Sequence, residues 1–264
     1  MLELKNIRKT FNAGTINEKV ALNNLSLKIE EGDFVTVIGG NGAGKSTMLN
    51  ALAGVWSVDS GQIFVDDRDV TRLPEHKRAA FLGRVFQDPM TGTAGTMEIQ
   101  ENLALAKRRG KRRLLSPGIR KQEKEEYREL LKILGLGLEN RMTSRVGLLS
   151  GGQRQAITLL MATLQRPKLL LLDEHTAALD PKTAAKVLDI TNAIVERDHL
   201  SALMVTHNMK DAIQMGNRLI MMHEGRIIYD VSGEEKKCLT VADLLEKFEQ
   251  VSGSEFANDR MMLT

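Results

Sequence analysis

The stretch that decides the fold of this chain is Gly39-Gly40-Asn41-Gly42-Ala43-Gly44-Lys45-Ser46-Thr47, which follows the apolar run Phe34 to Ile38. That run does not alternate and is rich in β-branched residues, which is typical of a strand covered on both faces in a parallel sheet. The motif matches G-x-x-x-x-G-K-[ST], in which glycines let the backbone close around an anion at a helix N-terminus. Lys45 is then placed to reach the β- and γ-phosphates of a nucleotide, and Ser46 to ligate magnesium.

The composition is that of an ordinary soluble globular protein. With 264 residues, 42% of them hydrophobic, the chain is long enough to bury a substantial core. A net charge of +3 is too small to imply a nucleic-acid partner, so none is expected. Cys238 is the only cysteine, which excludes a disulfide framework and a thiolate metal cluster. The N-terminus lacks the apolar core of a secretory signal, and no apolar run approaches ~18 residues, so any work at a membrane requires a separate partner.

The chain alternates strands with helices, which predicts an α/β core with a parallel sheet. Residues 2–8 and 25–29 alternate apolar and polar side chains, and these strands should form a small antiparallel sheet. Residues 97–165 show helical periodicity and no convincing strand, which indicates an all-helical insertion. Further predictions are strands at 62–65, 82–86, 169–172, 202–205, 218–222 and 226–230, and helices at Lys45 to about Ala53, Pro181 to about Arg197, and Val241 to Phe248.

Two carboxylates, Asp173 and Glu174, follow the apolar run Leu169 to Leu172. Ligands bind at the carboxyl edge of an open parallel sheet, and the phosphate loop belongs to that same edge. Asp173 is suited to hold magnesium through water, and Glu174 to accept a proton from an attacking water. The alternative is a pair of acidic residues that merely ends a strand.

A second helix N-terminus is predicted at Leu149-Ser150-Gly151-Gly152-Gln153. Ser150 should be the N-cap, Gln153 should complete a capping box, and the glycines should leave the backbone open. The phosphates at the first loop already have one helix N-terminus, so we interpret this one as closing over the nucleotide of another subunit. The alternative is that the segment only caps its own helix.

These motifs, in this order and spacing, resemble the ATP-binding subunit of the ATP-binding-cassette family. GGNGAGKST resembles the family's phosphate loop, LLLLDE its magnesium-and-base strand and LSGGQ its signature, and the resemblance runs from about residue 2 to residue 235. It implies an ATPase that uses ATP and Mg²⁺. The nucleotide ligands it implies are Gly39, Asn41, Gly42, Ala43, Gly44, Lys45, Ser46, Thr47, Ser150, Gly151, Gly152 and Gln153.

The resemblance also implies a domain plan. It is a phosphate-loop NTPase (RecA-like) core with a parallel sheet, a small N-terminal antiparallel β-subdomain and an inserted α-helical subdomain. The core would comprise residues 1–87 and 166–235, and the helical insertion about 88–165, within one domain that ends at residue 235. Residues 236–264 would form a C-terminal helix and a loose tail.

Four further positions match the family one by one. Gln87, in Val85-Phe86-Gln87-Asp88, matches the glutamine that contacts magnesium and water. Asp180, in Ala178-Leu179-Asp180, matches the loop that crosses the dimer interface, and it is also placed to cap the helix from Pro181. His207 matches the histidine that contacts the γ-phosphate. Phe11 stands where the family usually has an adenine-stacking tyrosine, and stacking needs only the face of its ring.

Two features depart from the family or stand outside its motifs. The family commonly has proline after the Asp-Glu pair, whereas this chain has His175, and both a ring that titrates near the site and a tolerated substitution are open interpretations. The basic run from Lys107 to Arg113 favours a solvated loop, with attraction to acidic lipid headgroups as an alternative. Nucleic-acid binding is the third alternative, although no aromatic residue interleaves the run.

The leading functional hypothesis is the motor subunit of an ABC transporter, at the cytoplasmic face of the plasma membrane. Two copies would dimerise head to tail around ATP and drive integral-membrane permease subunits. Single-cassette chains of this size resemble bacterial importer subunits, especially those for amino-acid-like solutes, which implies an extracellular solute-binding protein. The alternatives are an exporter motor, a soluble cassette ATPase acting on DNA or ribosomes, and a phosphate-loop kinase or GTPase, which would leave LSGGQ unexplained.

Overall fold

The computed structural model describes residues 1–111 and 117–252 of the chain. They form two compact units, which we call unit 1 (Met1–Arg78 with the chain from His199 onward) and unit 2 (Ala79–Asp198). The loose tail is predicted to begin after Phe248, and its residues 253–264 lie outside the described residues, as do Arg112 and Arg113 of the basic run. The domain boundaries inferred from the sequence stay a prediction.

Strands and helices alternate along both units. The strands are β1 (Leu2–Phe11), β2 (Lys19–Ile29), β3 (Phe34–Gly39), β4 (Ser60–Val65), β5 (Arg68–Asp69), β6 (Leu82–Val85), β7 (Leu169–Asp173), β8 (Ala202–Val205), β9 (Arg218–His223) and β10 (Arg226–Ser232). The helices are α1 (Lys45–Ala53), α2 (Glu75–Arg78), α3 (Ile99–Lys107), α4 (Lys121–Ile133), α5 (Gly151–Thr163), α6 (Pro181–Asp198), α7 (Met209–Gln214), α8 (Gly233–Lys237) and α9 (Val241–Ser252).

The N-terminal strands of unit 1 form an antiparallel sheet in the order β2-β1-β4-β5. Leu2 pairs with Ile29 and Leu4 with Leu27, and all four side chains are buried. The alternation in the sequence therefore places one apolar face of this sheet in the core, as predicted. The segment after β4 is a tight hairpin into the short strand β5.

Strand β3 is the centre of the second sheet of unit 1. It pairs in parallel with β8 and β9, and β10 pairs antiparallel to β9. All of β3 is buried, as expected from its unbroken apolar run. The carboxyl ends of β3 and β8 consequently meet at the same edge, where the phosphate loop and His207 begin.

Helix α9 packs into the core of unit 1. Leu244 and Phe248 are fully or almost fully buried in an apolar cluster with Ile38, Met209 and Leu219. The amphipathic pattern predicted this helix as far as Phe248, and the structure extends it to Ser252.

In unit 2, β6 pairs in parallel with β7. Between residues 88 and 165, the part that the structure describes contains helices α3, α4 and α5 and an isolated bridge between Glu98 and Arg145, but no named strand. Over residues 1–111 and 117–252, no helix combines the length and apolarity needed to cross a bilayer. The mixed α/β fold class predicted from the sequence is confirmed.

Candidate functional site

The phosphate loop, which begins at the last residue of β3, can be built only with glycine at two of its positions. Gly39 has a φ of +153°, and a Cβ atom there would lie 2.2 Å from the carbonyl oxygen of Met222. Gly44 has a φ of +98°, and its Cβ would lie 2.4 Å from the carbonyl oxygen of Ala21. Both contacts are to backbone atoms, which cannot rotate away. Close approach of neighbouring backbone therefore sets the shape of the loop.

The loop leads into a helix N-terminus that carries no side-chain cap. Gly44 is the N-cap of α1, and the first turn of that helix has no acidic residue. The first N–H groups of a helix lack partners within the helix, and the helix dipole makes this end electropositive. The start of α1 is thus suited to an anion, as the sequence predicted.

Lys45 is held inside this loop. Its side chain is buried, and the ammonium donates hydrogen bonds to the carbonyl oxygens of Gly39 at 2.6 Å and Gly40 at 3.0 Å. The positive charge therefore lies within the curve of the backbone that the glycines form.

A turn that the sequence did not mark as part of the site supports the loop. The N–H of Gly225, in the turn between β9 and β10, donates to the carbonyl oxygen of Ala43 at 3.0 Å. A Cβ at Gly225 would lie 2.7 Å from the carbonyl oxygen of Ala21, so this turn is packed as closely as the loop itself. The dipeptide Glu224-Gly225 predicts a turn, but only the sheet order brings that turn to the loop.

Phe11 ends β1 and is partly exposed. Its ring packs edge-to-face against Trp56, with centroids 4.9 Å apart and planes at 79°. The ammonium of Lys9 lies 5.6 Å from the centroid of the Phe11 ring. Trp56, the only tryptophan of the chain, is 36% exposed, so a second aromatic ring stands beside the predicted adenine-stacking residue. Sequence reasoning missed it, because Phe11 and Trp56 lie far apart in the chain.

His207 follows β8 and is exposed. The preceding residue, Thr206, donates its N–H to the carbonyl oxygen of Val37 in β3 at 3.1 Å. The following residue, Asn208, caps α7 by accepting from the N–H groups of Lys210 and Asp211. His207 is thus fixed from both sides at the same sheet edge as the phosphate loop. The pKa of the nearby Asp211 is raised by burial, an effect that the charge of His207 partly offsets.

In unit 2, the candidate residues Asp173, Glu174 and Gln87 lie at or just beyond the carboxyl ends of two neighbouring parallel strands. Asp173 ends β7, and its carboxylate lies 3.3 Å from the guanidinium of Arg84 on β6. Glu174 is partly buried and has a φ of +44°, a region that residues other than glycine rarely adopt. The structure therefore brings the two carboxylates to the carboxyl edge of this strand pair, and it adds an arginine that the sequence did not single out.

Gln87 is exposed just beyond the carboxyl end of β6. The residue before it, Phe86, accepts a hydrogen bond at its carbonyl oxygen from the side-chain amide of Gln155, at 3.1 Å. Gln155 is fully buried in α5. The Gln87 loop is consequently attached to the helix that begins at the signature motif.

Ser150 is the N-cap of α5, as predicted. Its hydroxyl accepts from the N–H of Gln153 at 3.3 Å, and the Gln153 side-chain oxygen accepts from the N–H of Ser150 at 3.2 Å. Gly151 is exposed, whereas Gly152 is buried. A Cβ at Gly152 would lie 2.1 Å from the methyl carbon of Thr183, so close packing against α6 accounts for this glycine. The prediction that both glycines leave the backbone open applies to Gly151 alone.

Arg154 secures the segment that precedes the signature. Its side chain is buried and donates to the carbonyl oxygens of Gly147 at 3.0 Å and Val146 at 3.3 Å, both in a 3₁₀ turn. A charged residue among apolar ones in a helix could have suggested such a role, but its acceptors could not be named from the sequence.

Asp180 caps α6, as expected. Its carboxylate accepts from the N–H of Thr183 at 3.1 Å, and hydrogen bonds from the side chain and backbone of Thr183 lower the pKa of Asp180. Leu179, just before it, faces Gly151. The loop Ala178–Asp180 and the start of α5 thus lie side by side within unit 2.

Three cations of the basic run make contacts within unit 2. Lys107 pairs with Glu126, and the guanidinium of Arg108 lies 3.3 Å from the carboxylate of Glu123. Arg109 donates to the carbonyl oxygen of Ala162 at 3.4 Å, and burial lowers its pKa. Lys107, Arg108 and Arg109 therefore bind partners within unit 2 and do not form an exposed basic patch.

The fold and the glycine-built loop define a phosphate-loop nucleotide-binding protein. The sequence profile of the family described as ABC transporter matches residues 22–177, more than half of the chain. The chain therefore belongs to the ABC transporter family, and as an ATP-binding cassette it is an ATPase.

Relatives match along almost the whole chain. The tyrosine transport ATP-binding protein of Clostridioides difficile (strain R20291) is 47% identical over 249 residues, 94% of this chain and 99% of the relative. The methionine import ATP-binding protein MetN of Bartonella henselae is 34% identical, over 86% of this chain and 64% of the relative.

Solved cassettes share the fold. The dimeric ATP-binding cassette MJ0796, in a post-hydrolysis state with ADP and phosphate, superposes with a TM-score of 0.74 at 30% identity, covering 88% of this chain and 98% of that one. The ADP conformation of the cassette MJ1267 gives a TM-score of 0.76 at 25% identity, covering 94% and 98%.

Proposed function

We propose that this chain is the motor subunit of a bacterial importer for an amino-acid-like solute, peripheral to the cytoplasmic face of the membrane. Two copies would close head to tail around two ATP molecules and act on integral-membrane permease subunits that receive solute from an extracellular binding protein. The observation that carries the proposal is the near full-length match, at 47% identity, to a tyrosine transport ATP-binding protein. The solved dimer of a related cassette supports the assembly.

The residues of unit 1 supply the phosphate-binding half of the proposed site. Backbone N–H groups from Asn41 to Thr47 and the ammonium of Lys45 would hold the phosphates, Phe11 would stack on adenine, and His207 would contact the γ-phosphate. The uncapped start of α1 and the buried lysine support this role. Ser46 of unit 1 offers a hydroxyl oxygen to Mg²⁺, and Gln87 and Asp173 of unit 2 each offer an oxygen of the types that this ion prefers. The ion would neutralise phosphate charge when bound.

Unit 2 supplies the proposed chemistry. Glu174 would accept a proton from a water as the water oxygen attacks the γ-phosphorus, and the bond to the leaving oxygen of ADP breaks. Ser150, Gly151, Gly152 and Gln153 would face the ATP held by a second copy, with the Asp180 loop beside them. The exposed N-terminus of α5, without an acidic residue in its first turn, supports this contact. Loss of the γ-phosphate would then weaken the contact and release the dimer.

The Glu174→Gln variant tests the proposed base. We expect ATP hydrolysis to fall by at least about a hundredfold, while ATP binding persists and the protein elutes as an ATP-dependent dimer in light-scattering chromatography. Glu125→Gln on the exposed face of α4 is the matched control, because it makes the same chemical change away from the site. Undiminished hydrolysis in Glu174→Gln would refute the assignment of the base.

The solute class is tested by uptake. A strain that lacks this chain should lose uptake of labelled aromatic amino acids, with the wild-type chain but not Lys45→Ala restoring it. Unchanged uptake with impaired efflux would indicate an exporter. Co-purification with ribosomes or DNA at high salt, instead of with a membrane protein, would indicate a soluble cassette ATPase.

A further inference from the structure

The residue after Glu174 is a buried histidine. His175 is 2% exposed, and its Nε2 atom lies 3.1 Å from the hydroxyl oxygen of Thr191. Thr191 is fully buried in the middle of α6. The backbone immediately beyond the candidate base is therefore tied to a long helix through one side-chain contact.

The direction of this hydrogen bond follows from the partners of Thr191. Its hydroxyl oxygen lies 2.8 Å from the carbonyl oxygen of Val187, which can only accept. The single hydroxyl proton of Thr191 is thus donated to the carbonyl oxygen of Val187. The hydroxyl oxygen therefore accepts a hydrogen bond from the ring Nε2–H of His175. Burial lowers the pKa of His175 to about 4, which keeps the ring neutral at neutral pH with its proton on Nε2. The chain of donors runs from His175 to Thr191 to the helix backbone.

Glu174 itself needs such support. Its φ of +44° is a conformation that costs a residue with a side chain free energy and persists only where the surroundings impose it. On one side, β7 holds the backbone up to Asp173. On the other side, the carbonyl oxygen of Glu174 accepts from the N–H of Ala177 at 3.0 Å, which forms a turn, and His175 is the buried anchor of that turn.

We propose that His175 and Thr191 are positioning residues, which hold the backbone of Glu174 so that its carboxylate is aimed for proton abstraction. This inference rests on the proposed role of Glu174 as the base. The buried ring of His175 is not available to the nucleotide, so neither residue is catalytic. A small displacement of a catalytic group slows the chemical step much more than it weakens binding of the substrate.

Two pairs of variants separate the hydrogen bond from the shape of the side chain. Thr191→Val keeps the volume and removes the acceptor, whereas Thr191→Ser keeps the hydroxyl. His175→Met removes the donor, whereas His175→Gln places an amide N–H at about the same distance from the backbone. The measurements are the single-turnover rate of ATP hydrolysis and the ATP affinity, followed by fluorescence of Trp56.

We expect Thr191→Val and His175→Met each to slow single-turnover hydrolysis about tenfold, with ATP affinity changed by less than about twofold. Thr191→Ser and His175→Gln should recover most of the rate. The double variant His175→Met/Thr191→Val should be no slower than either single variant, because all three lack the same hydrogen bond. If His175→Met does not fold, the comparison of Thr191→Val with Thr191→Ser tests the positioning role by itself.

A hydrolysis rate within about twofold of wild type in Thr191→Val would overturn the inference, even if that variant melts at a lower temperature. Additive losses in the double variant would overturn it as well. Glu174→Gln, measured in the same assay, distinguishes a failure of the proposed base from a failure of the positioning role. If Glu174→Gln remains active, the proposed base is wrong; if it is inactive while Thr191→Val is unaffected, only the positioning role is wrong.

Discussion

The phosphate loop of unit 1 and the loops of unit 2 that carry Ser150 and Glu174 are held in place by different means. Backbone atoms shape the phosphate loop, since Gly39 and Gly44 each lie against a carbonyl oxygen of another strand. Side-chain hydrogen bonds shape the unit 2 loops, with Ser150 bound to Gln153 and His175 to Thr191. The first arrangement tolerates no added atom, whereas the second is sensitive to the loss of one donor or to a change of pH.

The two helix starts show the same contrast. Helix α1 begins at a glycine without a side-chain cap, which leaves its first N–H groups for a ligand. Helix α5 begins at Ser150 with a complete capping box and satisfies part of its own N-terminus. The start of α1 is therefore built around an anion, and the start of α5 is stable before any ligand arrives.

The Gly44→Ala variant tests the backbone-shaped loop of unit 1 and should have the largest effect on ATP binding. The added Cβ would meet the carbonyl oxygen of Ala21 at 2.4 Å and would require a strained φ, so we expect ATP binding to weaken by at least about thirtyfold, or roughly 2 kcal/mol. Titration with a fluorescent ATP analogue measures this. Gly118→Ala is the control, because its Cβ would meet no atom within 4 Å, and unchanged ATP binding in Gly44→Ala would contradict the steric account.

Acid should affect the unit 2 loop through His175. The folded pKa is about 4 and the unfolded value is 6.5, so below pH 6.5 the unfolded chain binds a proton that the folded chain refuses. The contribution of His175 to the free energy of unfolding is therefore fully present above pH 6.5. It falls by up to about 3 kcal/mol as the pH drops from 6.5 towards 4. His175→Gln should flatten the fall in unfolding free energy, measured by urea titration at each pH. The exposed His76→Gln control should not, and identical slopes for wild type and His175→Gln would disprove the prediction.

Packing of α5 against α6 is tested by Gly152→Ala. The new Cβ would lie 2.1 Å from the methyl carbon of Thr183, and we expect the free energy of unfolding to fall by about 1–3 kcal/mol. Thr183→Ser removes that methyl group and keeps the hydroxyl, so the double variant should regain more than half of the loss. No recovery would show that Gly152 is required for a reason other than this contact.

The smallest effect on the free energy of unfolding is expected from removal of the cap of α5. Ser150→Ala should lower the free energy of unfolding by about 1 kcal/mol, whereas Ser150→Asp should keep the cap and the stability. Both should lose ATP hydrolysis under the proposed function, because alanine lacks the hydroxyl and aspartate adds negative charge towards the phosphates. ATP hydrolysis by the Ser150→Asp variant would show that Ser150 acts only as a helix cap.

Much of the fold could be predicted because it depends on local patterns. The unbroken apolar run of β3 and the alternation in β1 and β2 are patterns of consecutive residues, and the caps at Ser150 and Asp180 bond to residues three positions away. The contacts of Trp56, Arg84, Gly225 and Thr191 could not be predicted, because their partners are far along the chain or depend on strand order. His175 illustrates the limit, since its departure from the family was visible but its burial and its acceptor were not.

The amino-acid sequence was enough to predict the class of protein and the positions of its motifs, because a phosphate-binding loop needs glycines and a lysine at fixed local spacing. It also determined both caps, whose hydrogen bonds span only a few residues. The folded structure was needed to show which backbone atoms lie against Gly39 and Gly44, why Gly152 has no side chain, and what holds Glu174 in its unusual conformation. Those answers depend on close approach between segments distant in sequence, which no local pattern specifies.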